Sequence, residues 1–588
     1  MNTDAQHHSN SPTLHGELQL HSWATNEYVL TERERQQARL VLRDIDETLS
    51  SLDQRIEQLL IERESVARRR ARVHIALAPH KRLPTEIIGQ IFACAVDGDP
   101  VEFPIKQSQL FWVLRQVCSR WRQVALNDPR IWNAISIDGF RLKGRELLNI
   151  ASFITTVIPR TGLLSLAFRH RDGEDFLTVV KKIVHPVLHR VKELKVNIPA
   201  SALPDLFALP HDSLYNLQSL YLHVTNPERP LDAGFARRPT TSIFFRGAAN
   251  LRALELHAWE SDRLQGVLLA LPIQWNQLTS LVMTELRPLQ VVNVQSVLTR
   301  CFSLEKLHVK FAYRASNPTG LAGDDAHLRL PYLRQVELEG MILHPHSLTD
   351  IGLPWKQLTV LRVEELSGTN RHRIHVPLDE CVNVERLVLV ENKSIALPSG
   401  PLQLPRLKHL ATDQIAMMAG LVAPALMTLS ITSGTLEFPA KILSDIVQHS
   451  HCLLSEFTYC GIKARPEGAD DSEIANFLSH QHAMKAFHVN DLVLDPFDLQ
   501  PIIKGELLPQ LSSLTCGMPT EALEEFVNVL DVHARTWHAG KAKRSMLLKN
   551  ITLHVEDVGL DCAEAARIRL QKLNEEFGTS WGLCENDW

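Results

Sequence analysis

The sequence predicts an α/β chain built in series: a long coiled-coil helix, a small all-helical module, and a solenoid whose parallel strands line a concave face. Three observations carry this. The stretch 31–77 has no glycine or proline and repeats apolar residues at spacings of three and four. The stretch 83–132 holds two apolar helical stripes framed by prolines. Beyond residue 132 the unit Leu-x-x-Leu-x-Leu returns at steps mostly in the twenties of residues, and a period of that size marks a repeat architecture.

Residues 1–28 are rich in His, Ser, Asn and Thr, lack periodicity, and read as disordered. The coiled-coil segment spans 29–78. Arg35, Leu42, Leu49, Ile56, Arg63, Arg70 and Leu77 fall on one seam position, and Ala38, Ile45, Leu52, Leu59, Val66 and Val73 on the other. A narrow stripe of two residues in seven is the coiled-coil signature. Pro79 ends it. Two readings stand: a homodimer through residues 31–77, or one long helix whose stripe folds back on its own chain. Arg63 and Arg70 weaken the C-terminal half of the seam. Arg68-Arg69-Arg70-x-Arg72 reads as a solvated basic face, with a nuclear-import signal as the alternative.

The helical module spans 79–135. Pro84 stands where a helix begins, a place where its missing N–H is no loss. Ile87, Ile88, Ile91, Phe92 and Ala95 then follow at helical spacing, and Gly98 with Pro100 stops them. A second helix is expected from Ser108, with Leu110, Phe111, Leu114, Val117, Cys118, Trp121, Val124 and Ala125 on one face. Asp128-Pro129 ends it, because the residue before proline is pushed out of the α region. Two such helices cannot bury both apolar stripes alone; they need a third helix or a partner.

Leu83-Pro84-x-Glu86-Ile87-Ile88 with Ile91-Phe92, then Val117-Cys118-x-x-Trp121-Arg122, then Asp128-Pro129 before Trp132, resembles the F-box. That module docks on the Skp-type adaptor of cullin-based ubiquitin ligases. The resemblance covers roughly fifty residues, and the gap at 97–109 is longer than in the commonest members. It implies adaptor contacts from Leu83, Pro84, Ile87, Ile88, Ile91, Phe92, Val117, Cys118 and Trp121. It also implies that Trp121 is the largest buried side chain of the module.

The repeat array spans 136–556. Its clear units are Val191-Leu194-Val196, Leu217-Leu220-Leu222, Leu251-Leu254-Leu256, Leu278-Leu281-Met283, Leu304-Leu307-Val309, Leu333-Val336-Leu338, Leu358-Leu361-Val363 and Val384-Leu387-Leu389. Weaker units are Leu407-Leu410-Thr412, Leu426-Leu429-Ile431, Met484-Phe487-Val489 and Leu511-Leu514-Cys516. The x-Leu-x-Leu-x core is a short strand with one buried face. Intervening segments such as 289–301 and 436–449 carry helical spacing, so each unit is a strand plus a returning helix. One unit cannot bury its own face, and stacking supplies the cover. A closed β/α barrel needs eight units, fewer than are present. The array resembles that of leucine-rich-repeat F-box proteins. Asn197 and Asn490 are the candidates for the asparagine that follows the last leucine in that family. Segments 227–239 and 317–325 read as loop insertions. Residues 557–588 form a C-terminal cap or tail, with a helix at 563–577.

The search for chemistry returns little. No nucleophile elbow, dinucleotide fingerprint, phosphate loop or HExxH pair is present. His449-x-His451-Cys452 with Cys460 has no second paired set nearby, so no metal and no cofactor is expected. No catalytic residue is expected, and the reading is an adaptor rather than an enzyme. Net charge is -5, from 62 basic and 67 acidic residues, which gives no ground for nucleic-acid binding. No apolar run reaches the ~18 residues a membrane span needs; 417–427 comes nearest, and Pro424 breaks it. Nine cysteines, an odd number scattered through apolar segments, fit a reducing compartment, cytoplasm or nucleus.

The resemblance implies a substrate-recognition subunit whose partners are a Skp-type adaptor, a cullin and a protein substrate. The alternative is a non-catalytic scaffold using the F-box outside a cullin ligase. A hydrolase hidden in the repeats has no motif behind it. Alternation within each strand sends the x residues to the concave face. Candidate substrate contacts are therefore Lys306, His308 and Lys310, with Glu337 and Glu339 on the next strand and Arg362 on the one after. These basic and acidic rungs are expected to neutralise each other in part.

Overall fold

The computed structural model describes residues 29–585 with internal gaps. The longer gaps are 140–144, 158–161, 170–184, 226–243, 259–270, 287–295, 312–327, 341–351, 365–373, 391–394, 433–437, 462–470, 541–547 and 556–559. The segment expected to be disordered, 1–28, and the two expected insertions, 227–239 and 317–325, lie outside the described residues. The chain divides into two compact units between Ile91 and Phe92.

The first unit is dominated by α1, Glu32–Leu77, an unbroken helix of 46 residues. Thr31 starts it with a capping box: its hydroxyl accepts from the Glu34 N–H, and the Glu34 carboxylate accepts from the Thr31 N–H at 2.8 Å. None of its residues is buried. Helix α2, Thr85–Val96, follows Pro84 as the sequence requires.

In the second unit the expected second helix is two helices. α3 spans Leu110–Val117 and α4 spans Ser119–Asn127. Cys118 sits between them in extended conformation, φ -159° and ψ 169°, and its Sγ accepts from the Trp121 N–H. A short polar side chain that captures a free N–H starts a new helix instead of continuing the old one. Arg122 donates from Nε to the Arg115 carbonyl at 3.1 Å, so a carbonyl at the end of α3 is satisfied across the break. Asp128 ends α4 as expected and caps the short 3-10 turn Pro129–Trp132.

Most of the rest is one open sheet of 18 parallel strands, paired in chain order from Val101–Phe103 at one edge to Ser580–Glu585 at the other; two short parallel pairs, Ile374–His375 with Ile395–Ala396 and Leu402–Gln403 with Leu421–Val422, lie outside it. Parallel pairing throughout, with no pairing between the edge strands among the described residues, is solenoid topology and not a barrel. The repeat leucines fall in register: Leu220 lies opposite Leu254, and Leu254 opposite Leu281. Strand burial alternates as the period-two pattern demands, for example along Ser219–Thr225. One face is the core; the other is open. Just before most strands, a backbone N–H reaches the preceding repeat's carbonyl, as from Thr279 to Arg252 and from Glu305 to Thr279. This ladder locks neighbouring units at their entry corner.

The sheet is longer than the leucine pattern implies. Three strands, Val101–Phe103, Ala134–Asp138 and Leu164–Arg169, precede the first expected unit, and the first of them lies inside the long gap of the helical module. Glu456–Cys460 buries Phe457 and Tyr459 where other repeats bury leucines. At the C-terminus the expected helix forms as Leu560–Phe577 and stops at Gly578, φ +65°, a conformation glycine tolerates. A further strand then pairs with Asn550–Val555. Asn574 holds it, its Oδ1 accepting from the Trp581 N–H and its Nδ2 donating to the Trp581 carbonyl, both at 2.8 Å. The helix is thus the return of one more repeat, and the sheet runs past residue 556.

Returning helices are clear in the C-terminal third, as Ala440–Ser450, Asp471–Ser479, Pro496–Lys504 and Leu523–His538. Among the described residues the middle repeats return through single 3-10 turns, such as Trp275–Gln277 and Trp355–Gln357. Most of the segment 289–301 lies outside the described residues.

Amides bridge the repeats, at a place other than the expected one. Asn216, Asn250 and Asn383 each donate from Nδ2 to a carbonyl of the preceding repeat, at 2.6–2.7 Å. Each stands immediately before the first leucine-type position of its unit, not after the last. Asn197 instead faces the open side of the sheet.

Candidate functional site

The residues that the F-box resemblance singles out separate into core and free groups. On α2, Ile88 and Phe92 are 1% exposed, whereas Ile87 and Ile91 are 41% and 50% exposed. Four-residue spacing sets each pair on its own side of the helix. Leu83 is half-buried and Pro84 exposed. Val117 at the end of α3 is exposed, and Cys118 and Trp121 are half-buried.

Trp121 is not the module's most buried tryptophan. It lies edge-on to Phe92, centroids 4.9 Å apart, and retains partial exposure. Trp132 is 1% exposed, packs against Phe111 at 4.8 Å, and donates from Nε1 to the Ala125 carbonyl at 3.1 Å. Phe103, Trp112 and Phe153 complete this aromatic cluster. The cluster joins α3 to the first strands and to the helix Arg145–Val157, which fixes α3 relative to the sheet.

α3 also presents an apolar stripe outward, where the helical spacing predicts Leu110 on the inner face. Leu110, Val113 and Val117 are all exposed, and their spacing puts them along one stripe. Phe111, Trp112 and Leu114 face the core instead. A helix apolar on two sides carries that signal in its sequence, Leu110-Phe111-Trp112-Val113-Leu114, because one core cannot cover both.

Two charged groups shape this region. Arg115 stacks its guanidinium over Trp112 at 4.6 Å, and its pKa is lowered by burial first and by Arg122 second. Asp128 binds Arg130 through both carboxylate oxygens, at 3.0 Å and 2.7 Å, and accepts the Arg130 N–H at 3.1 Å. The Arg130 side-chain hydrogen bond is the main force that holds its carboxyl below the usual range.

On the open sheet face the expected rung is assembled in register. Lys306 lies opposite Gln335, His308 opposite Glu337 and Lys310 opposite Glu339, with Arg362 on the far side of Glu337. The charges are largely engaged. Lys310 pairs with Glu339, Arg362 with Glu364 at 2.8 Å, and His308 lies 3.6 Å from Glu339. Among the described residues Lys306 forms no ion pair.

A second polar group sits earlier on the same face. His257 hydrogen-bonds Glu255 through Nε2 at 2.6 Å and Thr284 through Nδ1. Tyr221 and His223 pack on its ring, at 4.6 Å and 5.6 Å between centroids. Burial first, then His257 and Arg169, hold the His223 imidazole below its usual pKa. Beside them is a hollow of about 270 Å³ lined by Ser136, Asp138, Arg169, Lys195, Asn197 and Tyr221. The group is built from three neighbouring strands, Ser219–Thr225, Ala253–Ala258 and Ser280–Leu286, whose polar residues lie about thirty positions apart in sequence and meet only through the register.

Among the described residues no cluster of three or more His, Cys, Asp or Glu is placed to hold a metal ion. His449 is exposed and bonds the Asp445 carbonyl at 2.6 Å, while Cys452 is core, its thiol pushed up to about 11 by burial. Burial pushes the thiols of Cys301, Cys381 and Cys516 up to about 12. Such thiols are poor nucleophiles. No described helix is long and apolar enough to cross a membrane.

A solved structure described as a TLR13–ssRNA13 complex is similar at 15% identity and a TM-score of 0.36, over 65% of this chain. The match spans 55% of that protein's chain, about half its length. No curated protein matches the chain. The family comparison is local and falls on the helices just described: residues 80–138 match the F-box-like family.

Proposed function

We propose that this chain is the substrate-recognition subunit of a Skp-cullin-F-box ubiquitin ligase. Its F-box-like segment docks a Skp-type adaptor, and its leucine-rich-repeat solenoid recruits a protein for ubiquitination. The observation that carries this reading is the family match at 80–138. Those residues lie on helices that keep Ile87, Ile91, Leu110, Val113 and Val117 exposed. Apolar stripes left in water on small helices are what partner helices cover. On this reading other subunits carry out ubiquitin transfer, and the chain works in the cytoplasm or nucleus.

The recruiting surface is the open sheet face, with Lys306, His308, Lys310, Glu337, Glu339 and Arg362 as candidate contacts. The test is mass spectrometry of a tagged pull-down with the proteasome inhibited. Adaptor, cullin and a client protein that accumulates are expected. Adaptor without cullin points to a scaffold outside a ligase, and neither one removes the proposal. In the same experiment, Lys306→Glu with Lys310→Glu is expected to lower client recovery and leave adaptor recovery unchanged. Undiminished client recovery excludes this rung as the contact.

A further inference from the structure

Among the described residues nothing buries the apolar stripe of α1, although it runs the length of a 46-residue helix. Leu42, Leu49, Ile56 and Leu59 are each half exposed or more. In water a stripe of this width is stable when a second helix packs on it. The charge pattern along the seam says what that helix is and which way it runs.

Pairing with a second copy in parallel register sets each seam residue against itself. The layers from Leu42 to Leu59 are then aliphatic, but Arg35, Arg63 and Arg70 each meet their own copy. Three layers of like charge in a partly dry seam oppose association. Among the described residues neither Arg63 nor Arg70 has an ion-pair partner within the chain to offset this. Arg35 has one, Glu32 at 3.6 Å, while Glu47 takes Arg43 and Glu64 takes Arg68.

Antiparallel pairing removes the conflict. We propose that α1 binds a second copy of this chain antiparallel, with Leu42 facing Leu59 of the partner subunit. The register then places Ile45 against Ile56 of the partner subunit and Leu49 against Leu52 of the partner subunit. Every layer from Leu42 to Leu59 stays aliphatic. Arg63 faces Ala38 of the partner subunit, whose methyl group leaves the guanidinium room to reach water. Arg35 faces Val66 of the partner subunit. No seam layer holds two arginines. On the flank Glu34 lies beside Arg69 of the partner subunit, an attractive pair. Asp46 beside Asp53 of the partner subunit is the one repulsive pair, and it lies on the rim, where solvent weakens it. A shift by one heptad sets Arg63 against Ile45 of the partner subunit and breaks the aliphatic run, so the first register is preferred.

Disulfide trapping of the full chain tests this, with joined peptides mapped by mass spectrometry so that the exposed Cys94 and Cys584 are told apart from the introduced thiols. Leu42→Cys and Leu59→Cys are made in separate chains; both sites are exposed, so the fold is undisturbed. Mixing the two variants is expected to join residue 42 to residue 59. Each variant alone is expected to give no link at its own site, because antiparallel copies of residue 42 lie roughly 25 Å apart along the axis. Self-linking of either variant means parallel pairing and overturns the proposal. A dimer without the 42–59 link overturns the register. A monomer by light scattering overturns the pairing itself.

Discussion

At the scale of single residues, burial separates the tryptophans that the motif alone does not. Trp132 fills the aromatic cluster between α3 and the first strands, and its indole N–H is satisfied by Ala125. Trp132→Ala is expected to destabilise the second unit by about 3–5 kcal/mol. Trp121→Ala, at a half-buried site, is expected to cost clearly less. Denaturant unfolding of the two variants checks the order, and the reverse order refutes this assignment of the core. Asp128 supplies a pH test. Its folded-state pKa lies below the unfolded value, so its contribution is present above the ordinary carboxylate pKa of about 4. That contribution is lost as pH falls through the depressed folded-state value. Melting temperature followed from neutral to acid pH is expected to fall less steeply in Asp128→Asn than in the parent chain. Identical slopes mean that the Arg130 contact does not stabilise the fold.

At the scale of elements, α2 has two apolar sides with different duties. Ile88→Asp places a charge at a 1% exposed site and is expected to unfold the helix. Ile87→Asp, at an exposed site, is expected to leave circular dichroism and melting unchanged. Equal loss in both refutes the division. The sequence shows this element plainly, because Pro84 and the isoleucine spacing define its start and its stripe. It shows the break at Cys118 poorly, since apolar spacing runs through that residue without a glycine or proline; what stops α3 is a thiol taking the Trp121 N–H. The repeat strands are legible wherever leucine fills both inward positions. They are hidden where Ile135, Phe168, Phe457 or Trp581 fills the same place, because the inward position asks for bulk and apolarity rather than for leucine. The polar group around His257 is hidden for another reason. Its members come from different repeats, and only the register brings them together.

At the scale of the whole molecule, the chain separates tasks by element. The sheet from Val101 to Glu585 is held by parallel pairing of each strand to the next and by a leucine-lined core. Within the segment matched to the F-box-like family, α3 is anchored to the first strand through the contact of Trp112 with Phe103, which also packs on Phe153. The proposed role divides between these parts, adaptor docking by the helices and client recruitment by the sheet. The claim on which this rests is adaptor docking through exposed apolar residues of α2. The direct measurement is the affinity of the purified full chain for a purified Skp-type adaptor, compared with that of the Ile87→Asp, Ile91→Asp double variant. Tight binding by the parent chain and a loss of at least a hundredfold in the folded variant are predicted. Equal affinities, or no binding by the parent chain, contradict the account.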